Sequence, residues 1–403
     1  MNVVFLGSFY PTSLLCRIQN SKYVGFANDL LQKSYLQGLS HSEKVESFKA
    51  ISIPNIISFP HKTSMFYYRG VQENINGIDC STVSFLNLCS IKQKFKVFGL
   101  KRYLKRNEKY FQQANYLFVY DLDISFLEFV SFLKLRYPHL KVVNIVPDLI
   151  GYTGLKENLF NKWRQRCKDI RVRKLLFNVD FFIFLTKDMA AYLDIKQPFG
   201  VLEGIYNMES EKVFSKNIPN YNNPIKSVLY SGAMSKRNGV DKLLAAFSFI
   251  SDENFRLVLC GDGELRAQIE KNAEIDHRIS FMGNIPHSMV LKLQLEATLL
   301  INPRPGVEDF TKYSFPSKTM EYFASGVPVL MYDLLGVPRE YYKYCFTQRE
   351  LSSLSLSREI YRICNLPAIQ RKQMGLSARS YVINNKTPVR SIETVFSFLN
   401  QQL

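Results

Sequence analysis

The side chains best able to do chemistry sit in one short stretch, Ser314-Phe315-Pro316-Ser317-Lys318-Thr319-Met320-Glu321. Pro316 suits a first helical position, because its fixed φ fits there and its missing N–H is not needed. Lys318 then falls in the first turn, beside the positive end of the helix dipole, where a lone cation is disfavoured. The placement makes sense if an anion is shared between that ammonium and the backbone N–H groups of Ser317 and Lys318. That is the chemistry of a phosphate site. Glu321 lies one turn on, on the same face, where a carboxylate can accept hydrogen bonds from the two hydroxyls of a ribose. Phosphate at the helix tip and ribose behind it would lay a nucleotide across this helix. An ordinary exposed Lys/Glu pair would have the same spacing.

The flanking residues are those needed to hold such a helix. Leu299, Leu300 and Ile301 end a short apolar strand, and a loop then runs to Ser314-Phe315. The helix should continue to about Ser325, with Gly326 as a left-handed stop and the next strand spanning Val327 to Met331.

The run from Ser314 to Val329, SFPSKTMEYFASGVPV, resembles the donor-site helix of the family 4 retaining glycosyltransferases. It is similar in particular to the bacterial surface-polysaccharide branch, whose members read SFPSKTMEYLASG here. The resemblance spans most of the chain from Val201 to about Ser380 and, more loosely, the amino-terminal half. It implies an α/β chain of the GT-B fold, with two Rossmann-like domains facing each other across a cleft. The carboxyl-terminal domain would hold a nucleotide-sugar, and the amino-terminal one an acceptor. The family pairs two glutamates as E-x7-E. Glu321 matches the second, but Tyr313 stands at the first position. The contact to the sugar could then come from Glu308 or Asp309, or from backbone N–H groups near Ser314 and Phe315.

The same resemblance implies further donor contacts. Gly7 matches a glycine that approaches the donor phosphate. Gly232, and Gly261 with Gly263, close the turns after two strands of the second domain. Relatives carry an Arg after the first of these glycines and a Lys before Gly239; here Ala233 and Asn238 replace them. Lys236 and Arg237, the nearest cations, are assigned the diphosphate, and Arg304 joins the donor set. Asn284 and Ile285 fall where relatives pass the base. Glu203-Gly204 sits at the domain junction, where relatives often have Asn-Gly.

The totals agree with a two-domain enzyme. The chain has 403 residues, 46% hydrophobic and 22% charged, enough for packed cores and too few charges for disorder. The Cys residues form no C-x-x-C and no cluster with His, and read as reduced, mostly buried cytosolic thiols. The chain enters a strand at Val3 with no basic leader, and holds no run of 18 apolar residues to cross a membrane.

The net charge of +17 is unevenly placed: +13 over residues 1–200 and +4 over the rest. The partner of the first half is expected to be anionic and extended, a membrane surface or a nucleic acid. Ile91 to Asn107 interleaves Lys92, Lys94, Lys96, Lys101, Arg102, Lys105 and Arg106 with Phe95, Phe98, Leu100 and Tyr103. Such a basic amphipathic helix suits anionic lipid, or else packs its apolar side and solvates the other. Lys162 to Lys174 adds Trp163, Arg164 and Arg166, and a Trp among cations is a candidate interfacial anchor.

Other strands and helices alternate in the α/β manner. Strands are expected at Tyr116–Tyr120, Val142–Val146, Asp180–Leu185, Ser227–Ser231, Leu257–Cys260 and Ile279–Met282. Residues 60–79 read as loop and 207–225 as linker. Asp148 follows a strand end, where open α/β sheets carry function, and could orient an acceptor hydroxyl or merely cap a turn. Asp121-Leu122-Asp123 matches a metal-binding pattern but lies in the acceptor half, beside no donor motif, and is set aside as coincidence. The domains are expected at 1–205, 206–385 and 386–403, the last a helix returning to the first domain.

The activity expected is transfer of a hexose-type sugar from a nucleotide-sugar, with UDP favoured, to a polyprenyl-diphosphate-linked glycan. It would proceed with retention and without a metal or other cofactor, at the inner face of the cytoplasmic membrane. Lys318, Glu321 and Asp148 are the catalytic candidates. The competing readings are a GT-B sugar-nucleotide epimerase, a non-catalytic partner subunit and, on charge alone, a nucleic-acid binder. No recognition module supports the last.

Overall fold

The computed structural model describes residues 1–18, 26–61, 63–89, 91–150, 159–306 and 309–402. The chain divides into two units, 1–205 with 388–403, and 206–387.

The first unit opens with β1 (Asn2–Gly7), α1 (Thr12–Ile18), α2 (Phe26–Ser40) and β2 (Ser47–Ser52). Four short strands follow: β3 (Tyr67–Tyr68), β4 (Gln72–Ile75), β5 (Ile78–Thr82) and β6 (Phe85–Leu86). Next come α3 (Lys92–Arg106), α4 (Glu108–Gln113), β7 (Tyr116–Tyr120), α5 (Ile124–Arg136) and β8 (Lys141–Val146). The run ends with α6 (Leu159–Leu175), β9 (Phe181–Phe184), α7 (Lys187–Leu193) and β10 (Phe199–Val201). The main sheet has the order β10-β9-β8-β7-β1-β2-β5-β4. All its pairings are parallel except β4 with β5. The central strands are buried on both faces and read as apolar runs, as parallel strands covered by helices must.

The segment 60–79 is not wholly loop. Asn76 and Gly77, both at positive φ, turn β4 into β5 as a two-residue hairpin.

The second unit runs α8 (Met208–Phe214), β11 (Lys226–Ser231), α9 (Val240–Phe247), β12 (Phe255–Cys260), α10 (Arg266–Ile275) and β13 (Ile279–Gly283). It continues with α11 (His287–Glu296), β14 (Leu299–Asn302), α12 (Lys318–Ser325), β15 (Val329–Tyr332), β16 (Phe346–Gln348), α13 (Ser353–Cys364) and α14 (Ala368–Asn385). Its six strands are all parallel, in the order β13-β12-β11-β14-β15-β16. The expected linker therefore holds a helix, α8, whose N-cap Asn207 accepts from Glu209 N–H.

The last helix, α15 (Pro388–Gln401), belongs to the first unit. Its Ile392, Val395, Phe396 and Leu399 complete the core formed by Phe118, Tyr120, Tyr35 and Leu202. In each sheet the strand order reverses once, at β1/β7 and at β11/β14. Open α/β sheets bind ligands at such switch points, beyond the carboxyl ends of the strands.

Candidate functional site

In the second unit the loops after β11 and β14 meet at the switch point. A Cβ on Gly239, which has φ of 75°, would lie 2.0 Å from the Pro303 carbonyl oxygen. Glycine is what lets the two loops touch there. The loop after β14 then carries Arg304, Phe310 and Ser314 into α12.

The helix α12 starts at Lys318, two residues later than expected, because the Thr319 N–H turns back to the Pro316 carbonyl. No side chain caps its first turn. Ser317 is exposed beside it, while Phe315 is buried against Tyr341. Gly326 ends the helix in the left-handed conformation.

Lys318 and Glu321 do pair, with Nζ 3.5 Å from Oε1. The pair is not an ordinary exposed one, since the Glu321 side chain is only 14% exposed. His287 Nε2 donates to its Oε2 at 2.6 Å and Gln294 Nε2 to its Oε1 at 2.7 Å. Burial pushes the Glu321 carboxyl upward, but the charge of Lys318 and the hydrogen bonds from His287 and Gln294 outweigh it and hold it at about 2. Glu321 is thus a fixed anion at neutral pH.

Arg304 is the second unusual charge. Its Nη1 donates to Ser314 Oγ and its Nη2 to Asn238 Oδ1, each at 3.3 Å, and its Nε has no partner. Among the described residues no carboxylate pairs with it. Burial lowers its pKa, and the neighbouring Arg237 lowers it further. The Arg237 guanidinium lies 3.7 Å from the centroid of the Phe310 ring, and that of Arg304 lies 5.6 Å away. One aromatic ring therefore carries two cations. Lys236 is exposed, and its backbone N–H is tied to Glu264.

The glycine turns serve backbone packing. A Cβ on Gly261 would fall 1.9 Å from Gly232 O, and one on Gly263 2.4 Å from Met234 O, so the turns after β11 and β12 nest directly. Asn284 is exposed after β13, and Ile285 is half-buried against the core. Tyr313 carries Lys312 Nζ 5.1 Å from its ring centroid. Asp309 is highly exposed and bridges to Lys312 at 3.4 Å, which accounts for its charge locally. Glu308 lies outside the described residues.

In the first unit, Gly7 answers a local need. The space of a Cβ there is filled by Gln32, whose Oε1 accepts from Ser8 N–H at 2.7 Å. Asp148 is exposed just past β8, within 3.5 Å of Asn28 Nδ2. The pattern Asp121-Leu122-Asp123 splits into two roles. Asp123 caps α5 through Ser125 N–H and bridges Lys96 at 2.8 Å.

Asp121 sits at the switch point with φ of 75°, a conformation that non-glycine residues rarely adopt. Burial raises its carboxyl to about 6; the Leu122 N–H opposes this, and Asp123 and Asp148 add to it. Strained, hard-to-ionise acids at strand ends recur among functional positions. A carboxyl whose pKa is raised by folding stabilises the fold at low pH, and that stability is lost as pH rises from about 4 through about 6. Asp121→Asn should therefore increase stability at pH 7.5 by ~1–3 kcal/mol, seen as a higher melting temperature, and leave it unchanged near pH 3. A lower melting temperature at pH 7.5 would contradict this.

The basic stretches separate by exposure. On α3, Lys92 and Lys96 point inward: Lys92 Nζ donates to the Ile56 carbonyl and Lys96 bridges Asp123. They belong to the unit's interior and not to a lipid-facing surface. Lys94 and Arg102 are exposed; Phe95 and Lys101 are half-buried, with Lys101 over the Phe132 ring. Phe98 is 62% exposed, and so is Trp163 on α6, where Arg164 and Arg166 are also exposed. Among the thiols, Cys16, Cys89 and Cys167 are exposed rather than buried.

Sequence reasoning missed His287 and Gln294. Their signal was present, since Gln294 interrupts the apolar stripe Val290, Leu291 and Leu295 of α11 and is fully buried.

Residues 225–353 match the model of the family described as glycosyl transferases group 1. No curated protein sequence matches the chain. Among solved structures it is similar to sucrose-phosphate synthase from Thermosynechococcus elongatus, at TM-score 0.62 and 14% identity over 100% of both chains. It is similar to the lipopolysaccharide outer core galactosyltransferase WaaB at TM-score 0.65 and 11% identity, again over 100% of both. It also resembles HepE from Anabaena, in complex with UDP, at TM-score 0.62 and 13% identity over 100% of both. The fold is theirs, the two-unit GT-B arrangement of Rossmann-like halves.

Proposed function

We propose that this chain, which matches the model of the glycosyl transferases group 1 over residues 225–353, moves a sugar from a nucleotide-sugar donor held by its second unit. The observation that carries the reading is the pair of charges at the β11/β14 switch point. Arg304 is a partly buried guanidinium with no acid beside it among the described residues, joined through Ser314 to the uncapped start of α12, where Lys318 stands. Cations so placed meet the charge that develops on a departing diphosphate. Arg237 stands beside Arg304 across Phe310, with Lys236 next to it in the chain, and Glu321 takes the ribose hydroxyls.

In the reaction proposed, an acceptor hydroxyl oxygen bonds to the anomeric carbon as the bond from that carbon to the diphosphate breaks. The hydroxyl proton passes to the departing phosphate oxygen, on the same face, so configuration is retained. Asp121 and Asp148 of the first unit orient the acceptor. HepE was crystallised with UDP and glucose, which supports a uridine nucleotide and a hexose here.

The acceptor proposed is a lipid-linked glycan of surface-polysaccharide synthesis, met at the inner face of the cytoplasmic membrane. Its support is the exposed set Lys94, Phe98, Arg102, Trp163, Arg164 and Arg166. Among the described residues no helix is long and apolar enough to cross a membrane. The protein should float with vesicles containing anionic lipid and be released by salt. Recovery in the soluble fraction at low salt would sink the membrane assignment.

The donor assignment is tested by Lys318→Ala. Loss of one charged hydrogen bond to the leaving group should lower kcat by roughly ten- to a hundredfold. Wild-type turnover of UDP-sugars by this variant would refute the placement.

A further inference from the structure

We propose that His287 and Gln294 are positioning residues that set the selectivity of this site for ribonucleotides over deoxyribonucleotides, by clasping the Glu321 carboxylate from α11. The inference rests on the reading of Glu321 as the ribose-binding acid.

The two clasping residues are seven apart on α11, two turns, and so share one face of that helix. Glu321 reaches between them from α12, one oxygen to each, at 2.6 and 2.7 Å. A carboxylate that only accepts leaves no doubt about direction: both His287 Nε2 and Gln294 Nε2 donate. An ionised carboxylate offers about four acceptor positions, two on each oxygen. One on each is taken by the clasp. Lys318 stands farther off, at 3.5 Å. One position on each oxygen therefore stays open, side by side, as a vicinal diol requires.

Gln294 has no other evident reason to be there. It is fully buried, and its Oε1 has no hydrogen-bond partner. A half-satisfied buried amide destabilises a core that leucine would fill better. Its Nε2 is aimed at Glu321, and fixing that carboxylate is the return on the arrangement. His287 is 43% exposed, so its ring adds little to packing and much to the carboxylate's orientation. Without the clasp, Glu321 would swing toward Lys318, and the paired acceptors would be lost.

Calorimetric titration with UDP and 2′-deoxy-UDP, and with GDP and 2′-deoxy-GDP, tests this. The wild-type protein should favour the better-binding ribonucleotide over its deoxy form by roughly ten- to a hundredfold, the worth of one charged hydrogen bond. His287→Ala and Gln294→Leu should each cut that ratio to about a third or less, while binding of the deoxy form changes little. His287→Gln, which keeps a donor, should restore most of the ratio. An unchanged ratio in both His287→Ala and Gln294→Leu would overturn the clasp. A wild-type protein that binds neither pair, or binds both members of each equally, would overturn the ribose reading of Glu321 and the clasp with it. A variant that loses affinity for both forms in parallel shows only a structural role, and also counts against the inference.

Discussion

Replacing Glu321 with alanine should lower kcat/KM for the sugar donor by roughly 10²- to 10³-fold, mostly through the donor's affinity. Two hydroxyl hydrogen bonds to a fixed anion are lost together. The group is ionised across the working range, being held at about 2, so the effect should not vary between pH 6 and 9. The variant also strands Gln294, whose Nε2 loses its acceptor while its Oε1 already has none. A buried donor left unmet costs about 1–3 kcal/mol, so the melting temperature should fall as well. Glu321→Gln separates the two effects, since it keeps an acceptor oxygen and the side chain's shape but not the charge. Steady-state kinetics with a UDP-sugar, beside thermal unfolding, gives both numbers. Donor kinetics unchanged in Glu321→Ala would remove this residue from the site.

Arg304→Met should have a comparable effect on catalysis and the opposite effect on stability. A partly buried guanidinium with no acid beside it among the described residues is a charge without a counterion, which folding must tolerate. Methionine fills similar space and stays against Phe310 without that penalty, so the free protein should unfold at a higher temperature. The same change removes the cation proposed to face the diphosphate. A charged contact to a developing anion is worth up to about 3 kcal/mol, near a hundredfold in kcat/KM. Arg304→Lys should not recover the loss, because one ammonium cannot hold Ser314 and Asn238 together while also meeting an anion. If the methionine variant is less stable than the parent, or as active, Arg304 is structural.

The parts of this molecule legible in sequence are those specified by neighbours along the chain. Gly326 ends α12, β7 runs from Tyr116 to Tyr120, and the second sheet alternates with helices as its apolar runs indicate. What escaped has two causes. Some was local but overlooked: the Asn76-Gly77 turn is among the clearest hairpin signals, and Asn207 is a good N-cap before α8.

The rest depends on contacts that spacing cannot show. Lys92 and Lys96 look like members of a basic surface, yet their heads find the Ile56 carbonyl and Asp123, 36 and 27 residues away. His287 and Gln294 reach Glu321 across 34 and 27 residues. Arg304 looked like one cation among several, and only its partial burial with no acid beside it among the described residues sets it apart. A residue's type suggests what it can do; whether it faces water, a carbonyl or an anion is decided by the chain's return to the same place.

The closing helix has a consequence for biosynthesis. Ile392, Val395, Phe396 and Leu399 lie inside a core whose other members are made before residue 206. While the ribosome is still adding the second unit, the first lacks that wall, and Phe118 and Tyr116 are without their contact to Phe396. The half translated earliest is thus finished last. The middle of the chain can mature on the ribosome, while the beginning waits, with an open apolar face for chaperones to shield, until the end emerges.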